Sequence, residues 1–427
     1  MTSSRSSSVE VCRVCGAQDW HTFLDLGRVP PANAFVTDPS APEQVFPLVL
    51  RSCRACRLTS LTHVIDAGDL YDQYYYVSSP SRTIQEHMEE LAERFRRELA
   101  LGPASFVVEI GSNNGDQLAK FEGSGCSLLG IDPARNITEQ ARARGIDTRT
   151  DFFTSDVARE VRGERGPADL ILARHVVAHV DDVQDLVRGV RELLAPDGIF
   201  AFEVPYLVEL MSRRAFDTVY HEHLSYFLVG TLRRLLERGG LRIVGVDRFE
   251  VHGGSIVVTA THADSARETD TECVESMLRL EETAGMGRDG TYDEFAAAVD
   301  GLRVSLRTSI EELVADGCVV AGYGASAKGV TLLTTSEIPA SSLAYCTDTT
   351  PAKQGTLIPG LGVAVISPEE AAQRPPDVYV MLAWNYCAEI LLKESDFLAK
   401  GGRFLVPIPE PRLVGEKESV ELIGAEA

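Results

Sequence analysis

Four of the nine cysteines form two identical pairs, Cys12-x-x-Cys15 and Cys53-x-x-Cys56. Each pair presents two thiolates from one tight turn, and two such turns together supply the four sulfur ligands of a tetrahedral zinc site. A site with four sulfur ligands leaves no coordination position open, so its metal would be structural and not catalytic. The alternatives are a redox-active pair or unpaired buried cysteines. The spacing favours one structural Zn2+ bound by all four thiolates.

The segment VVEIGSNNGDQL, residues 107–118, has the pattern of a buried strand that enters a loop of small residues and then a helix. Such a loop lets a ligand lie against the backbone in front of a helix N-terminus. Asp132 follows about 20 residues later, where a carboxylate can accept hydrogen bonds from both hydroxyls of a ribose. The spacing is closer to the E/DxGxxxG loop of S-adenosylmethionine enzymes than to the dinucleotide loop GxGxxG, and the alternative is the first turn of any Rossmann-type sheet. The predicted cofactor-binding residues are Glu109, Gly111, Asn113, Gly115, Asp132 and, as a ring that could flank an adenine, Phe153.

Polar side chains are crowded in two further segments, HVVAHV at residues 175–180 and FDTVYHEHLSYF at residues 216–227. A histidine, a carboxylate and a phenol together offer a proton acceptor, a group that orients it and a hydroxyl donor, as acid–base catalysis requires. Zinc binding by the HEH sequence is disfavoured, because metal-binding helices space two histidines at i and i+4. A structural polar network is the remaining alternative. The residues in question are His175, His179, Tyr220, His221, Glu222 and His223.

Two glycine-containing segments lie further along the chain. The sequence HGGS, which starts at His252, forms either a tight turn beside a ligand or a simple hairpin. GYGASAKG, residues 322–329, follows an apolar stretch and is similar to a dinucleotide loop, with Asp348 beyond the next strand. Lys328 lies near the predicted start of the following helix, where an ammonium group could meet a phosphate; a solvated lysine is the alternative.

These segments are positioned by short apolar stretches, rich in β-branched residues, that alternate with helical patterns. SFVVEIG, SLLGIDP, DLILARHVV and GIFAFEVPY are the predicted central strands, and the alternation returns from residue 317. It predicts βαβ units and parallel sheets, and hence an α/β protein with a central Rossmann-like domain and a second, smaller, doubly wound Rossmann-like domain. The predicted domains are a zinc-binding domain at 1–65, a cofactor-binding domain at 66–262, a helical connector at 263–316 and a C-terminal Rossmann-like domain at 317–427.

The composition of the 427-residue chain, with 44% hydrophobic and 24% charged residues, is that of a globular protein. The formal net charge of −22 repels nucleic acid and anionic membranes, so neither is expected as a partner, although a few placed donors can still hold one anionic ligand. The first ten residues are polar and rich in serine, which predicts no signal peptide. No apolar run approaches the ~18 residues of a membrane span. We expect a soluble, cytoplasmic protein.

A set of segments spread over the chain carries a family resemblance. They are CRVCG, RSCRACRLTSL, YYYVSSPS, VVEIGSNNGD, GIDPARNI, FDTVYHEHLSYF, VHGGS, GYGASAKG, TDTTPAKQG and LAWN. Through them the chain resembles, essentially from end to end, the sugar C-methyltransferases of antibiotic deoxysugar pathways. The resemblance implies a zinc-binding domain, a central S-adenosylmethionine-dependent methyltransferase domain, a C-terminal Rossmann-like domain and a thymidine-diphosphate (TDP) 4-keto-6-deoxysugar as substrate. The implied active-site residues are Tyr76, His179, Tyr220, Glu222 and His223, and the predicted substrate contacts are Tyr76, Tyr220, His252 and Lys328.

The implied chemistry fits the polar motif. A sugar ring carbon becomes nucleophilic when an adjacent carbonyl acidifies its C–H bond, so a base that removes the proton beside a 4-keto group forms an enolate that attacks the donor methyl group. The reaction needs a base within hydrogen-bond reach and a donor for the enolate oxygen. We expect His223 to be the base and Glu222 to support it, with Tyr220, Tyr76 or His179 stabilising the oxygen. C-3 is the favoured carbon, and C-5 is the alternative.

Two other functions are compatible with the sequence. A bifunctional C-methyltransferase and 4-ketoreductase would use a glycine loop for NADPH and would consume NADPH with the ketosugar. A zinc-bearing interaction protein with degenerate Rossmann domains would bind no adenosyl ligand and would tolerate the loss of Tyr220 or His223. The acidic net charge and the dense polar motif favour the enzyme.

Overall fold

The computed structural model describes residues 6–40, 42–71 and 81–426. The chain divides into two compact units, each assembled from three separate stretches. The first unit contains Met1–Thr22, Leu50–Glu209 and Glu222–Asp289, and the second contains Phe23–Val49, Leu210–His221 and Gly290–Ala427.

Strands and helices alternate along most of the chain. The strands are β1 (Ser6–Ser8), β2 (Trp20–Val29), β3 (Phe46–Cys53), β4 (Thr59–Leu61), β5 (His63–Ile65), β6 (Phe106–Ile110), β7 (Ser127–Ile131), β8 (Thr148–Arg149), β9 (Ala168–Arg174), β10 (Leu194–Pro205), β11 (Ser225–Tyr226), β12 (Leu241–Phe249), β13 (Ser255–His262), β14 (Val320–Tyr323), β15 (Cys346–Thr347), β16 (Val365–Ile366), β17 (Val378–Met381), β18 (Arg403–Val406) and β19 (Arg412–Val414). The α-helices are α1 (Ala67–Tyr71), α2 (Arg82–Glu98), α3 (Asp116–Ala119), α4 (Arg135–Ala143), α5 (Ser155–Arg165), α6 (Val183–Leu193), α7 (Leu207–Ser212), α8 (Val229–Arg238), α9 (Thr271–Thr283), α10 (Asp289–Ala315), α11 (Ala327–Thr335), α12 (Pro368–Gln373), α13 (Cys387–Lys393), α14 (Ser395–Ala399) and α15 (Glu416–Glu426).

The first unit is built on a seven-stranded sheet with the strand order β12-β13-β10-β9-β6-β7-β8. β13 runs antiparallel to both of its neighbours, and the other adjacent strands are parallel. The chain moves from β6 outward to β7 and β8 and then returns to β9 on the other side of β6. In doubly wound sheets, a reversal of this kind opens a ligand-binding crevice outside the carboxyl ends of the two strands. The expected binding edge is therefore at the ends of β6 and β9.

A continuous hydrophobic core joins this sheet to α2, α3 and α4. α2 is the amphipathic helix that the sequence HMEELAERFRRELA predicts, and its Leu91 and Phe95 belong to one buried cluster with Val107 and Leu170 of the sheet. All five residues of β6 are buried, as expected for a parallel strand that is covered on both faces. This packing holds the strand ends of the binding edge in place.

Two smaller sheets lie near the cysteine pairs in sequence. β1 pairs with β5, and a four-stranded sheet has the order β11-β4-β3-β2. Within the first unit, β11 is antiparallel to β4, with Ser225 opposite Ser60 and Tyr226 opposite Thr59. The end of the YHEHLSYF segment is thus paired with the strand that follows the second cysteine pair.

The second unit has its own six-stranded sheet, with the order β16-β15-β14-β17-β18-β19. Its adjacent strands are parallel except for β18 and β19. GYGASAKG spans the end of β14 and the start of α11, and the hydroxyl of the N-cap residue Ser326 accepts a hydrogen bond from Gly329 N at 3.1 Å. The strand order reverses again at β14 and β17, so this sheet is doubly wound like the first.

The two sheets confirm the predicted α/β class with a second, smaller Rossmann-like sheet. Helices α9 and α10 occupy most of the residues predicted as a connector. The compact units divide the chain differently from the four predicted domains, whose boundaries stay a prediction. In the part of the chain that the structure describes, no helix is long and apolar enough to cross a membrane.

Candidate active site

The four paired cysteines lie together in the first unit. Sγ of Cys12 is 3.5 Å from Sγ of Cys56, Sγ of Cys15 is 3.6 Å from Sγ of Cys53, and all four sulfur atoms lie within 4.8 Å of one another. Four sulfur ligands around one zinc ion, each about 2.3 Å from it, would be about 3.8 Å apart. The arrangement therefore fits a structural Zn2+ held by the predicted ligands.

The two cysteine turns share one backbone geometry. Gly16 N donates to Cys12 O, and Arg57 N donates to Cys53 O, each at 2.8 Å. Gly16 and Arg57 follow the second cysteine of their pairs, and both have positive φ, 77° and 60°. The Cys56 thiol hydrogen-bonds to Cys12 and is the main reason that the pKa of Cys12 is lowered to about 5. Burial raises the pKa of Cys53 to about 11, and the hydrogen bond with Cys12 raises the pKa of Cys56. Within the cluster, Cys12 is therefore the residue that favours the thiolate, the form that binds metal.

The loop after β6 lies at the expected binding edge. Gly111 has a φ of +66°, and a Cβ there would come 2.2 Å from Cγ2 of Val176, so only glycine fits. Its N–H donates to Ile131 O at 2.7 Å. Asn113 has a φ of +50°, which asparagine tolerates better than most residues, and Gly115 is the N-cap residue of α3. The loop therefore turns sharply beside the end of β7.

Asp132, directly after β7, is hydrogen-bonded to this loop. Its Oδ2 accepts from Asn113 N and its Oδ1 accepts from Ala134 N, both at 2.9 Å. Burial raises the pKa of Asp132, and the two N–H donors oppose that rise. Each carboxylate oxygen can accept two hydrogen bonds, so both retain capacity for a ligand hydroxyl. The loop and the acid therefore fit the predicted ribose contact, which stays a prediction.

Glu109 is a buried carboxylate near the end of β6, 3% exposed. Its Oε2 has no hydrogen-bond partner among the described residues, although buried oxygens without a partner are rare in proteins. Burial is the main reason that the pKa of Glu109 is raised to about 8, and Arg174 acts against it. A ligand N–H or O–H would satisfy this oxygen. The edge therefore fits S-adenosylmethionine, which carries an ammonium group and ribose hydroxyls.

Two of the predicted catalytic histidines are in contact at the same edge. His179 lies on a short 3-10 helix after β9, and Leu224 N donates to Ala178 O at 2.8 Å, which ties the HEH segment to that helix. The ring centroids of His179 and His223 are 4.8 Å apart. His223 is buried, and the half-buried His179 has its Nε2 shielded from solvent. Burial of the ring, aided by His175, lowers the pKa of His179 to about 3, so His179 is neutral at pH 7.

The remaining residues of the YHEH motif are divided between the units. Glu222 is buried in the first unit, directly before His223. Tyr220 and His221 belong to the second unit, where the His221 ring centroid is 6.0 Å from that of Phe46. The roles of Glu222 and Tyr220 stay predictions.

Three further predicted contacts are Tyr76, His252 and Phe153. Tyr76 lies outside the described residues. His252 lies in a short 3-10 helix, Val251–Gly253. Phe153 packs on α6, where a Cβ added to Gly189 would come 2.9 Å from Cε1 of its ring. The roles of these three residues stay predictions.

Sequence reasoning missed a buried charged cluster at this edge, here called the Glu203 cluster (Glu203, His87, Arg174, His175 and Ser255). Glu203 Oε1 accepts from Ser255 Oγ at 2.6 Å, and Oε2 accepts from Arg174 Nε at 3.0 Å. His87 Nε2 is 3.1 Å from Oε2, and His175 Nε2 is 3.6 Å from Oε1. Burial raises the pKa of Glu203, but His175 and Arg174 outweigh it and hold that pKa well below its usual value. The one signal in the sequence is an acid inside the apolar stretch GIFAFEVPY.

Lys328, the predicted phosphate contact, lies at the start of α11 in the second unit. Its Nζ is 5.5 Å from the centroid of the Trp384 ring, and Trp384 Nε1 donates to Asp217 Oδ2 at 2.6 Å. Burial lowers the pKa of Lys328, and the charge of Asp217 acts against that shift. Lys328 therefore has a carboxylate of its own unit as an electrostatic neighbour, and its contact with a phosphate stays a prediction.

Comparison with known proteins decides the family. Three family models match successive parts of the chain: a zinc binding domain at residues 12–71, a methyltransferase domain at 84–246 and a C-methyltransferase C-terminal domain at 250–409. The chain is 42% identical over 414 residues to the C-methyltransferase NovU of Streptomyces niveus, an alignment that covers 96% of this chain and 98% of NovU. The chain belongs to the S-adenosylmethionine-dependent C-methyltransferases.

This C-methyltransferase is also similar to solved methyltransferase structures over part of its length. The CcbJ methyltransferase from Streptomyces caelestis is 16% identical and covers 46% of this chain and 96% of its own, with a TM-score of 0.33. The magnesium protoporphyrin IX methyltransferase ChlM from Synechocystis PCC 6803, solved with bound SAM, is 11% identical and covers 44% and 87%, with a TM-score of 0.34. The family assignment itself rests on NovU.

The predicted family, enzyme class and methyl donor of this C-methyltransferase are confirmed by the three family models and the identity to NovU. The zinc binding model covers both cysteine pairs, so it agrees with the geometry of the four thiols. The use of NADPH, the TDP-sugar substrate and a cytoplasmic location stay predictions.

Replacing Cys53 by Ser should lower both the zinc content and the yield of folded C-methyltransferase, because a structural zinc site contributes folding free energy. We expect about one zinc ion per chain in the wild type and clearly less in the variant, measured by elemental analysis and thermal unfolding. Cys126→Ser, outside the cluster, is the control and should keep its zinc. Folded, active wild-type protein without zinc would contradict the assignment.

Replacing Asp132 by Ala should weaken the binding of S-adenosylhomocysteine by about 1–3 kcal/mol, because a charge-assisted acceptor is lost. Isothermal titration calorimetry measures this directly. Asp348→Ala is the matched control, since Asp348 accepts from Ala325 N and Thr350 N in the second unit in the same pattern. Equal effects of the two substitutions, or no effect of either, would show that Asp132 does not bind the ribose.

Proposed function

We propose that this C-methyltransferase methylates a ring carbon of a TDP-4-keto-6-deoxysugar, at C-3 in preference to C-5, through an enolate. The segments that resemble deoxysugar C-methyltransferases support the substrate class, and the identity to NovU supports C-methylation. The observation that carries the proposal is the contact between His179 and His223, whose ring centroids are 4.8 Å apart at the binding edge.

The base is needed because a sugar ring carbon is a poor nucleophile. A carbonyl at C-4 acidifies the C–H bonds at C-3 and C-5. When His223 takes one of these protons, the C–H electron pair remains on the substrate as an enolate, whose carbon forms the new C–C bond. When bound, S-adenosylmethionine supplies the electrophilic methyl group, and the electrons of the broken C–S bond stay on sulfur. His223 then releases its proton to solvent, which completes the proton balance.

The two histidines have different assigned roles because their environments differ. The pKa of His179 is lowered to about 3 by burial and by His175, so His179 does not take up a proton near neutral pH. A neutral imidazole still has one N–H to donate, which suits a group that stabilises the enolate oxygen. His223 is therefore the proposed base, and Glu222 supports its charge. Tyr220 and Tyr76 are the alternative donors to the oxygen.

The packing of the binding edge supports a common crevice for base and methyl donor. Val176 lies three residues before His179, and its Cγ2 fills the space where a Cβ on Gly111 would be. The segment that carries His179 is thus packed against the loop proposed to hold the cofactor. A base and a methyl donor held close together in this way would gain several orders of magnitude in rate.

The TDP group has to be bound by a chain whose formal net charge is −22, so placed cations and N–H donors must bind its phosphates. Lys328 is the proposed contact, and the contact predicted for His252 stays a prediction. The half-buried position of Lys328 supports this role, because a cation shielded from water interacts more strongly with a phosphate than an exposed one does.

We favour methyl transfer alone over a bifunctional enzyme that also uses NADPH. In the second glycine loop, Lys353 Nζ is 3.8 Å from Asp348 and donates to Ala325 O at 2.8 Å. In dinucleotide-binding loops the equivalent acid binds a ribose, whereas here a buried lysine of the same unit pairs with it. The experiment that separates the two functions is NADPH consumption with the ketosugar.

Solvent exchange tests the proposed base. With TDP-4-keto-6-deoxyglucose and S-adenosylhomocysteine in deuterated water, the wild type should exchange the hydrogen on the reacting carbon, and NMR identifies that carbon as C-3 or C-5. His223→Asn keeps approximate size but loses basicity, so exchange should stop and methylation should fall by roughly 10²–10⁴. Affinity for S-adenosylhomocysteine should be unchanged.

The matched control is His262→Asn, because His262 ends β13 at the opposite end from Ser255 and contacts Leu194 O at 3.3 Å. This variant should exchange and methylate like the wild type. Methylation by His223→Asn at nearly the wild-type rate would refute the assignment and move the base to Tyr220 or His179.

A further inference from the structure

The Glu203 cluster surrounds one carboxylate from every neighbouring element. His87 reaches Glu203 from α2, Arg174 and His175 reach it from the end of β9, and Ser255 reaches it from the start of β13. Glu203 is 1% exposed. Among the described residues, these are the charged, titratable and hydroxyl groups that contact its carboxylate.

Such a cluster is hard to explain by stability alone. Taking charges out of water is costly, and replacing a buried ion pair by apolar residues of similar volume is often neutral or stabilising. Removing one partner of such a pair, by contrast, leaves an uncompensated charge. The buried charge of Glu203 therefore indicates a role in fixing the geometry of the residues that it contacts.

His175 contacts Glu203 through both its backbone and its side chain. Its N–H donates to Glu203 O at 2.8 Å, and its Nε2 lies 3.6 Å from Glu203 Oε1. The φ of His175 is +54°, a left-handed conformation that is strained in a non-glycine residue and persists only where its surroundings impose it. This bend leads the chain from β9 into the short helix that carries His179.

The bend at His175 determines where His179 lies. His179 lies in the turn of chain that follows His175. Val176 packs this turn against Gly111, and the hydrogen bond from Leu224 N to Ala178 O ties it to the HEH segment. A relaxed His175 would therefore shift the His179 ring relative to His223, whose ring centroid is 4.8 Å away.

We propose that Glu203 is a positioning residue for methyl transfer: by holding His175 in its left-handed conformation, it keeps the His179 ring against His223. This inference rests on the proposed role of His223 as the base. Glu203 itself need not touch the substrate or the methyl donor, because its effect passes through His175 and the segment that follows.

The first experiment measures kcat and KM of Glu203→Gln with S-adenosylmethionine and TDP-4-keto-6-deoxyglucose. Glutamine keeps the size of the side chain but removes the negative charge that faces His175 and Arg174. We expect kcat to fall roughly 10- to 100-fold, since a misplacement of about 1 Å can cost ~10²-fold in rate, while both KM values change by less than about threefold. Wild-type kcat in folded Glu203→Gln would overturn the proposal, whichever residue is the base.

A double-mutant cycle with His223→Asn separates positioning from general destabilisation. If Glu203 acts through the histidine pair, Glu203→Gln should lower the residual rate of His223→Asn by less than about twofold. If the two losses multiply, Glu203 acts independently of His223 and the proposal is wrong. A different result would contradict the proposed function: His223→Asn alone would keep its methylation activity.

Glu281→Gln is the matched control, because Glu281 is another buried glutamate of the first unit. It accepts hydrogen bonds from Tyr206 Oη and from the backbone N–H groups of Val229 and Gly230. Its kcat should stay within about twofold of the wild type. A loss equal to that of Glu203→Gln would show that any buried glutamate has this effect, and would overturn the proposal.

His175→Asn provides a second variant in case Glu203→Gln does not fold. Asparagine tolerates a positive φ, so the backbone can keep its bend while the contact with the Glu203 carboxylate is lost. We expect the same fall in kcat with little change in KM, and no further loss in the His223→Asn background. Wild-type kcat in His175→Asn would overturn the proposal.

Discussion

The hydrogen bonds accepted by Glu203 bring together the ends of three strands of the large sheet and one helix. A charge inside a protein is tolerated only where its partners surround it, so Arg174, His87 and Ser255 must lie in fixed relative positions. The segment after β9 starts from that fixed point, and its Val176 in turn packs on Gly111 of the loop after β6. The proposed position of the histidine pair thus depends on one buried carboxylate.

The two Rossmann-like sheets use the same backbone arrangement with different side chains around it. In each, a backbone N–H of the glycine-containing loop binds the acid that follows the next strand, Asp132 in the first unit and Asp348 in the second. The first loop has the buried carboxyl of Glu109 beside it, which suits a ligand with N–H or O–H donors. The second has the ammonium group of Lys353, which pairs with Asp348 within the same unit. A shared backbone pattern therefore does not imply a shared ligand.

Local spacing was enough to predict the zinc ligands, the loop after β6 and the alternation of strands and helices, because each depends on residues close together in sequence. The contact of His179 with His223 could not be predicted from spacing, because their segments are far apart in sequence. Only the family resemblance placed the two residues in one active site. Glu203 was missed because one acid in an apolar strand has no spacing signal and because His87 and Ser255 come from distant elements.

The division into units could not be predicted from the sequence either. The composition of residues 23–49 does not distinguish them from the rest of the predicted zinc-binding domain. Tertiary contacts such as the bridge between Val36 and Leu357 nevertheless assign them to the second unit.

The interleaving of the two units has a consequence for synthesis and recombination. Domains generally fold as they leave the ribosome, beginning with the N-terminal one. In this chain the residues of the first unit have all been made by Asp289, whereas 23–49 and 210–221 must wait for the last part of the chain before their unit is complete. A chimera made from two relatives with one crossover would split a unit between two parents. Exchange of a whole unit requires that its three stretches be inherited together.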